Sequence, residues 1–298
     1  RPAGYEPPPY SRPESPTMIR LLTSYRLELN KIFRQRGTYV SYAILAIVSS
    51  LMVWGMWRYG FGEHLKHSFG REMVVGGRLV TAQTVAGHIM EPVFIVLVPA
   101  LIAMIVSSLI AAESKSGVLR TWLCRPLSRS SLYTAKSLAA GTHAILLTFF
   151  LGLFTLLLGY IFFGGGDLVD MSHGGRGMVI LDEAMALQRL GLAYGLAALL
   201  MCGMGALALL ASVIFENPLV AAGAAVAFIP ISGIIQSLEY FECLKPYLLT
   251  NYLDAWKYAF KAQLELADFL PALYCVVGYC LVPYVLGLII FRQKDIVS

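Results

Sequence analysis

Histidines, cysteines and carboxylates bind metals, attack carbonyls and move protons, and in this chain they are scattered. His64 and His67 stand three residues apart beside Glu63, a spacing that places two imidazoles on one helical face as zinc ligands require. A metal needs further ligands, and neither His88 nor His173 has a supporting spacing, so the pair reads as a solvated face. His143 falls early in a long apolar run, near enough to its end for the ring to reach interfacial water. No GxxxxGK[ST] string is present, and the glycine-rich stretch at 164–177 lacks both the lysine and the preceding strand of a phosphate loop. The GxSxG nucleophile elbow is absent too. Cys202, Cys275 and Cys280 lie inside apolar runs, while Cys124 and Cys243 fall in separate loops. They read as small buried hydrophobes rather than a disulfide framework. The expectation is a protein without catalysis, metal or cofactor of its own.

The elements that would carry these residues are overwhelmingly apolar. Of 298 residues 57% are hydrophobic and only 14% charged, where a soluble domain carries about 25%. With a mean hydropathy of +0.68, the fold class expected is an all-α integral membrane protein in one unit. A span needs about 20 apolar residues, and six stretches qualify: 39–58, 92–112, 138–163, 190–215, 218–238 and 269–291. Glu216, Asn217 and Pro218 are expected to turn tightly between the fourth and fifth, with Pro218 pre-set for a helix start. Pro99, Pro230 and Pro283 should kink their spans. No acid or base falls at the centre of any run, which argues against an ion-driven carrier and for energy supplied from outside the membrane.

Residues 1–17 hold six of the fourteen prolines and read as a disordered tail. Met18 reads as a native start and the tail as an extension. Residues 18–36 place Ile19, Leu22, Tyr25, Leu29 and Phe33 at steps of three and four among Arg20, Arg26, Lys31, Arg34 and Arg36. That pattern describes an amphipathic interfacial helix, too polar to span and drawn to anionic lipid. The outer segment 239–268, dense in aromatics from Tyr240 to Phe260, is expected to form interfacial helices.

Six spans place both termini on one side. That side holds fourteen lysines and arginines against six acids, and the other holds nine against twelve. Concentration of basic residues in cytoplasmic loops puts the termini in the cytoplasm. The net charge of +5 follows from this asymmetry, so no nucleic-acid partner is inferred. Gly191, Gly195 and the alanines of the fourth and fifth spans permit close helix approach.

The most polar connector, 113–136, separates the second and third spans. Val118, Leu119, Trp122 and Leu123 form a short apolar stripe flanked by Arg120 and ended by Pro126. Ser130 and Ser131 are expected to cap the next helix, and Glu113 to sit at the start of the short helix, where a carboxylate favours the positive end. Such a stripe either lies on the membrane or docks into a partner's groove.

Glu113, Gly117, Leu119, Leu123, Pro126, Ser128, Arg129 and Lys136 resemble the signature of the ATP-binding-cassette type 2 transporter permeases. "LKPYLLTNYLDAW" at 244–256 and the closing Lys294, Asp295 and Ile296 are similar to softer features of that family. The resemblance implies a permease subunit that pairs with a second permease, as homo- or heterodimer, and with cytoplasmic ATP-binding subunits that hold ATP and Mg. The connector would be the coupling helix, with Glu113, Gly117, Val118, Leu119, Arg120, Trp122, Leu123, Pro126 and Arg129 engaging the ATP-binding subunit. Residues 18–36 would be the elbow helix. A plasma (bacterial inner) membrane location and export of a hydrophobic or amphipathic substrate would follow. The alternative is a non-transporting anchor or assembly subunit of a larger membrane complex.

Overall fold

The computed structural model describes residues 17–59, 80–117, 128–170, 179–261 and 264–293. The tail up to residue 16, the stripe at 118–127 and the His64/His67 pair lie outside them.

Helix α1 (Thr17–Arg34) is free of glycine and proline and carries Lys31 and Arg34 in its last turn, where cations favour the negative end of the helix dipole. The chain bends at Gln35. Thr38 stabilises the bend by donating its hydroxyl to the Ile32 carbonyl at 2.5 Å, and α2 (Arg36–Tyr59) follows. Helix α3 (Ala82–Pro92) runs into α4 (Val98–Lys115) through one π-helical turn, Val93–Leu97. Pro92 and Pro99 bracket that turn. Each lacks an N–H, so the regular ladder has a missing donor on both sides, and a wider turn accommodates the defect.

Helix α5 (Arg129–Phe162) is capped by Ser128, whose hydroxyl accepts from the Ser131 N–H at 3.2 Å. The cap is thus two residues before Ser130 and three before Ser131, the two expected. A two-stranded antiparallel ribbon, β1 (Leu168–Asp170) and β2 (Val179–Leu181), pairs Val169 with Ile180. Helix α6 (Glu183–Ile214) and α7 (Pro218–Ser237) meet at the expected Glu216–Pro218 turn, where the Asn217 side chain caps by accepting from the Leu219 N–H at 3.0 Å. The 239–268 segment, expected as interfacial helices, contains three 3₁₀ pieces, Glu239–Tyr247, Leu249–Tyr252 and Ala255–Phe260. Pro246 and the short steps between caps leave no room for a continuous ladder. Helix α8 (Leu266–Gln293) completes the bundle.

Among the described residues, six helices are long and apolar enough to cross a membrane, and they coincide with the six apolar runs of the sequence. The chain is a multi-pass helical membrane protein. The α3–α4 unit and α6 are each 67% buried over their most apolar window, against 17–22% for α2, α7 and α8. Helix α6 is therefore the central post, packed against α4, α5, α7 and α8. Its inward positions Ala193, Ala197, Gly203, Gly205 and Ala208 are small, and small residues let backbones approach where no water drives association.

Candidate functional site: an ion cluster at the base of the connector

Glu113 lies in the last turn of α4, not at the start of a following helix. A carboxylate there meets the negative end of the dipole, an unfavourable position, and it is buried with only 4% exposed. The compensation comes from Lys136, about two turns into α5. Its ammonium lies 2.9 Å from Glu113 Oε2 and donates to Glu28 Oε1 of α1 at 2.9 Å and to the Leu109 carbonyl at 2.9 Å. Lys31 of α1 contacts Glu113 Oε1 as well. Two acids and two lysines thus form a cluster with no formal net charge, and Lys136 is wholly enclosed.

Burying a charge costs several kcal/mol unless it is paired and hydrogen-bonded. Lys136 meets that condition with two hydrogen bonds, to Glu28 and the Leu109 carbonyl, and an ion pair to Glu113. Lys31, at the rim, has its pKa lowered to about 8, first by burial and then by the neighbouring Lys136 charge, against the opposing pull of Glu28.

Neighbouring contacts fix the helices that carry the cluster. Ser212 of α6 accepts from the Ile110 and Ala111 N–H groups at 3.2 and 3.0 Å, which ties down the last turns of α4. Tyr25 and Thr142 join α1 to α5 at 2.9 Å. Tyr133 packs against Tyr284 and Phe291 of α8, with ring centroids 5.6 and 5.7 Å apart, and Thr134 bonds the Tyr284 hydroxyl at 2.8 Å.

The connector is therefore anchored at both ends. Where it begins, Ser116 closes α4 and Gly117 adopts φ +72°, a left-handed conformation that glycine enters without strain. Where it ends, Arg129 donates to the Arg292 carbonyl in the last turn of α8 at 3.0 Å, a cation on a helix C-terminus.

Of the residues read as a coupling site, Glu113, Gly117 and Arg129 are placed by the structure at these anchors. Val118, Leu119, Arg120, Trp122, Leu123 and Pro126 lie outside the described residues. Lys136 was legible only as the last position of the motif. Glu28 was missed, although it is the single acid in a basic helix and sits at four-residue steps between Ser24 and Ile32, the buried face of α1. His143 does not reach interfacial water: it is fully buried and packs edge-on against Tyr42 at 6.3 Å. Among the described residues no cluster of three or more His, Cys, Asp or Glu could hold a metal. What the cluster offers is mechanical: α1, α4 and α5 share one set of ionic contacts, and α8 is bound to the same end of α5.

No curated protein matches the chain. Residues 43–297 match the family described as "Protein of unknown function (DUF2705)", a span that contains Glu113 and Lys136 and leaves Glu28 and Lys31 ahead of it. The match extends over most of the chain, with five of the six membrane-crossing helices and most of the first, and on that extent the chain belongs to the DUF2705 family.

Proposed function

We propose that the protein is the membrane-spanning permease subunit of an ATP-driven transporter, moved by a separate cytoplasmic ATP-binding subunit that grips the 113–136 connector. One observation carries the reading: Lys136 joins the two ends of that connector to each other and to α1 through buried charges. A loop whose only task was to link two spans needs no such anchor. A loop that transmits force needs one, because displacement at its tip must reach the helices rather than dissipate in its hinges.

The outward face of α1 fits an elbow lying in the headgroup layer, since Ile19, Leu22 and Leu27 are 55%, 51% and 47% exposed beside the exposed Arg26 and Arg34. The basic bias of the connector side supports cytoplasmic termini in a plasma (bacterial inner) membrane. A second permease copy or homologue, and a hydrophobic or amphipathic cargo moved outwards, complete the proposal. Moving a two-state equilibrium from one side to the other takes roughly 5.5 kcal/mol of differential binding, and the partner's ATP cycle would supply it.

The test is purification of the full chain from its native membrane with its bound partners. An ATP-hydrolysing subunit should co-purify with the wild type and be lost from Leu123→Asp, while the variant stays in the membrane. A complex that contains no ATP-binding subunit would overturn the proposal in favour of an anchor or assembly role.

A further inference from the structure

A groove of about 600 Å³ runs along the flank of α8, away from the ion cluster. One wall is α8 from Pro271 to Leu286, the other includes Leu207 of α6, and Pro246 and Tyr252 of the outer segment form one end. The Arg129–Arg292 contact places the C-terminal end of α8 beside the cluster, so the Pro246 end lies at the opposite side of the bundle.

The length of the groove bears on its occupant. From Pro271 to Leu286 a helix rises about 22 Å at 1.5 Å per residue, and the groove follows it. That length suits a single hydrocarbon chain. With bonds of ~1.5 Å at tetrahedral angles, a chain of about eighteen carbons extends to roughly the same 22 Å.

Chemistry selects likewise. The lining residues are Leu, Val, Pro, Gly, Cys and Tyr, with no charged side chain among them. A sugar or peptide carries more polar groups than the four lining tyrosine hydroxyls can pair, at a cost an acyl chain does not incur. At the outer end Lys245 directly precedes the lining residues Pro246 and Tyr247. Its ammonium is 3.8 Å from Glu242 Oε1, beyond hydrogen-bond length, which leaves it donors for a phosphate.

We propose that this groove binds one acyl chain of a membrane phospholipid, with Lys245 pairing to its phosphate. The site does not depend on the transporter reading and would persist in an anchor protein.

Native mass spectrometry of the detergent-purified full chain, titrated with dioleoylphosphatidylglycerol and separately with dioleoylglycerol, tests it. Gly278 lines the groove and a Cβ there meets nothing within 4 Å, so Gly278→Leu fills the channel without disturbing the bundle. It should weaken phospholipid binding by at least about tenfold, since several methylenes lose their burial. Gly223→Leu on α7, equally unobstructed, should leave it unchanged. Lys245→Gln should weaken the phospholipid and spare the diacylglycerol. A phosphatidylglycerol with a diazirine at the end of one acyl chain should label the 275–286 stretch of α8 preferentially. Wild-type affinity in Gly278→Leu, or label spread evenly over the exposed faces of α2, α7 and α8, would overturn the proposal.

Discussion

Lys136 has none of its side chain exposed, and three oxygens surround its ammonium. Removing one member of a buried ionic set leaves the others uncompensated, at a cost of ~3–5 kcal/mol, whereas replacing the whole set by apolar groups can be neutral. Lys136→Met should therefore lower the thermal unfolding temperature in detergent sharply, and adding Glu28→Gln and Glu113→Gln should restore part of the loss. Equal unfolding temperatures for wild type and the single variant would show that the cluster carries no strain. Lys31 supplies a pH dependence. Its pKa is about 8 in the folded chain and near 10.4 in an unfolded one, so the unfolded state holds the extra proton between those values. Stability from this group rises as pH climbs from about 8 towards 10.4, and it is flat below. The gain in unfolding temperature between pH 7.5 and 9.5 should be larger in wild type than in Lys31→Met. At this scale the sequence was only partly readable. The motif named Glu113 and Lys136, but a motif is linear, and Glu28 joins it only because α1 folds back over α5.

Helices α5 and α8 meet closely at Gly287. A Cβ there would overlap the Tyr133 hydroxyl, and Tyr133 is itself fully buried. Gly287→Ala must displace the ring from its packing against Tyr284 and Phe291. The expected result is weaker α5–α8 association, read as a lower unfolding temperature and faster proteolysis near Arg129, while Tyr133→Phe with Gly287→Ala should recover part of the loss, since the ring carbon Cζ would still lie 2.8 Å from the new Cβ. Element boundaries were legible where a residue forces them. Asn217 and Pro218 fixed the turn before α7, and the apolar runs located all six long helices. The cap of α5 at Ser128 was not legible among three serines in four positions, since any of them can accept from an N–H two or three residues on. The 3₁₀ pieces of the outer segment and the short ribbon were not legible either. Both depend on packing against α6 and α3 rather than on any periodicity of their own.

The whole molecule is a central post, α6, with the α3–α4 unit beside it and more exposed helices around them. The orientation proposed from charge asymmetry is open to direct test. Cys243 is exposed in the outer segment, so a membrane-impermeant maleimide should label it in intact cells or spheroplasts without permeabilisation. Labelling only after permeabilisation would invert the topology and place the connector outside the cell, where no ATP-binding partner could reach it. The permease reading itself depends on what touches the tip of the connector. A photo-crosslinking amino acid at Leu119 in the full chain, irradiated in native membranes and analysed by mass spectrometry, asks that question at one residue. The expected adduct is a peptide from a cytoplasmic ATP-binding subunit, and adducts confined to lipid would contradict the account.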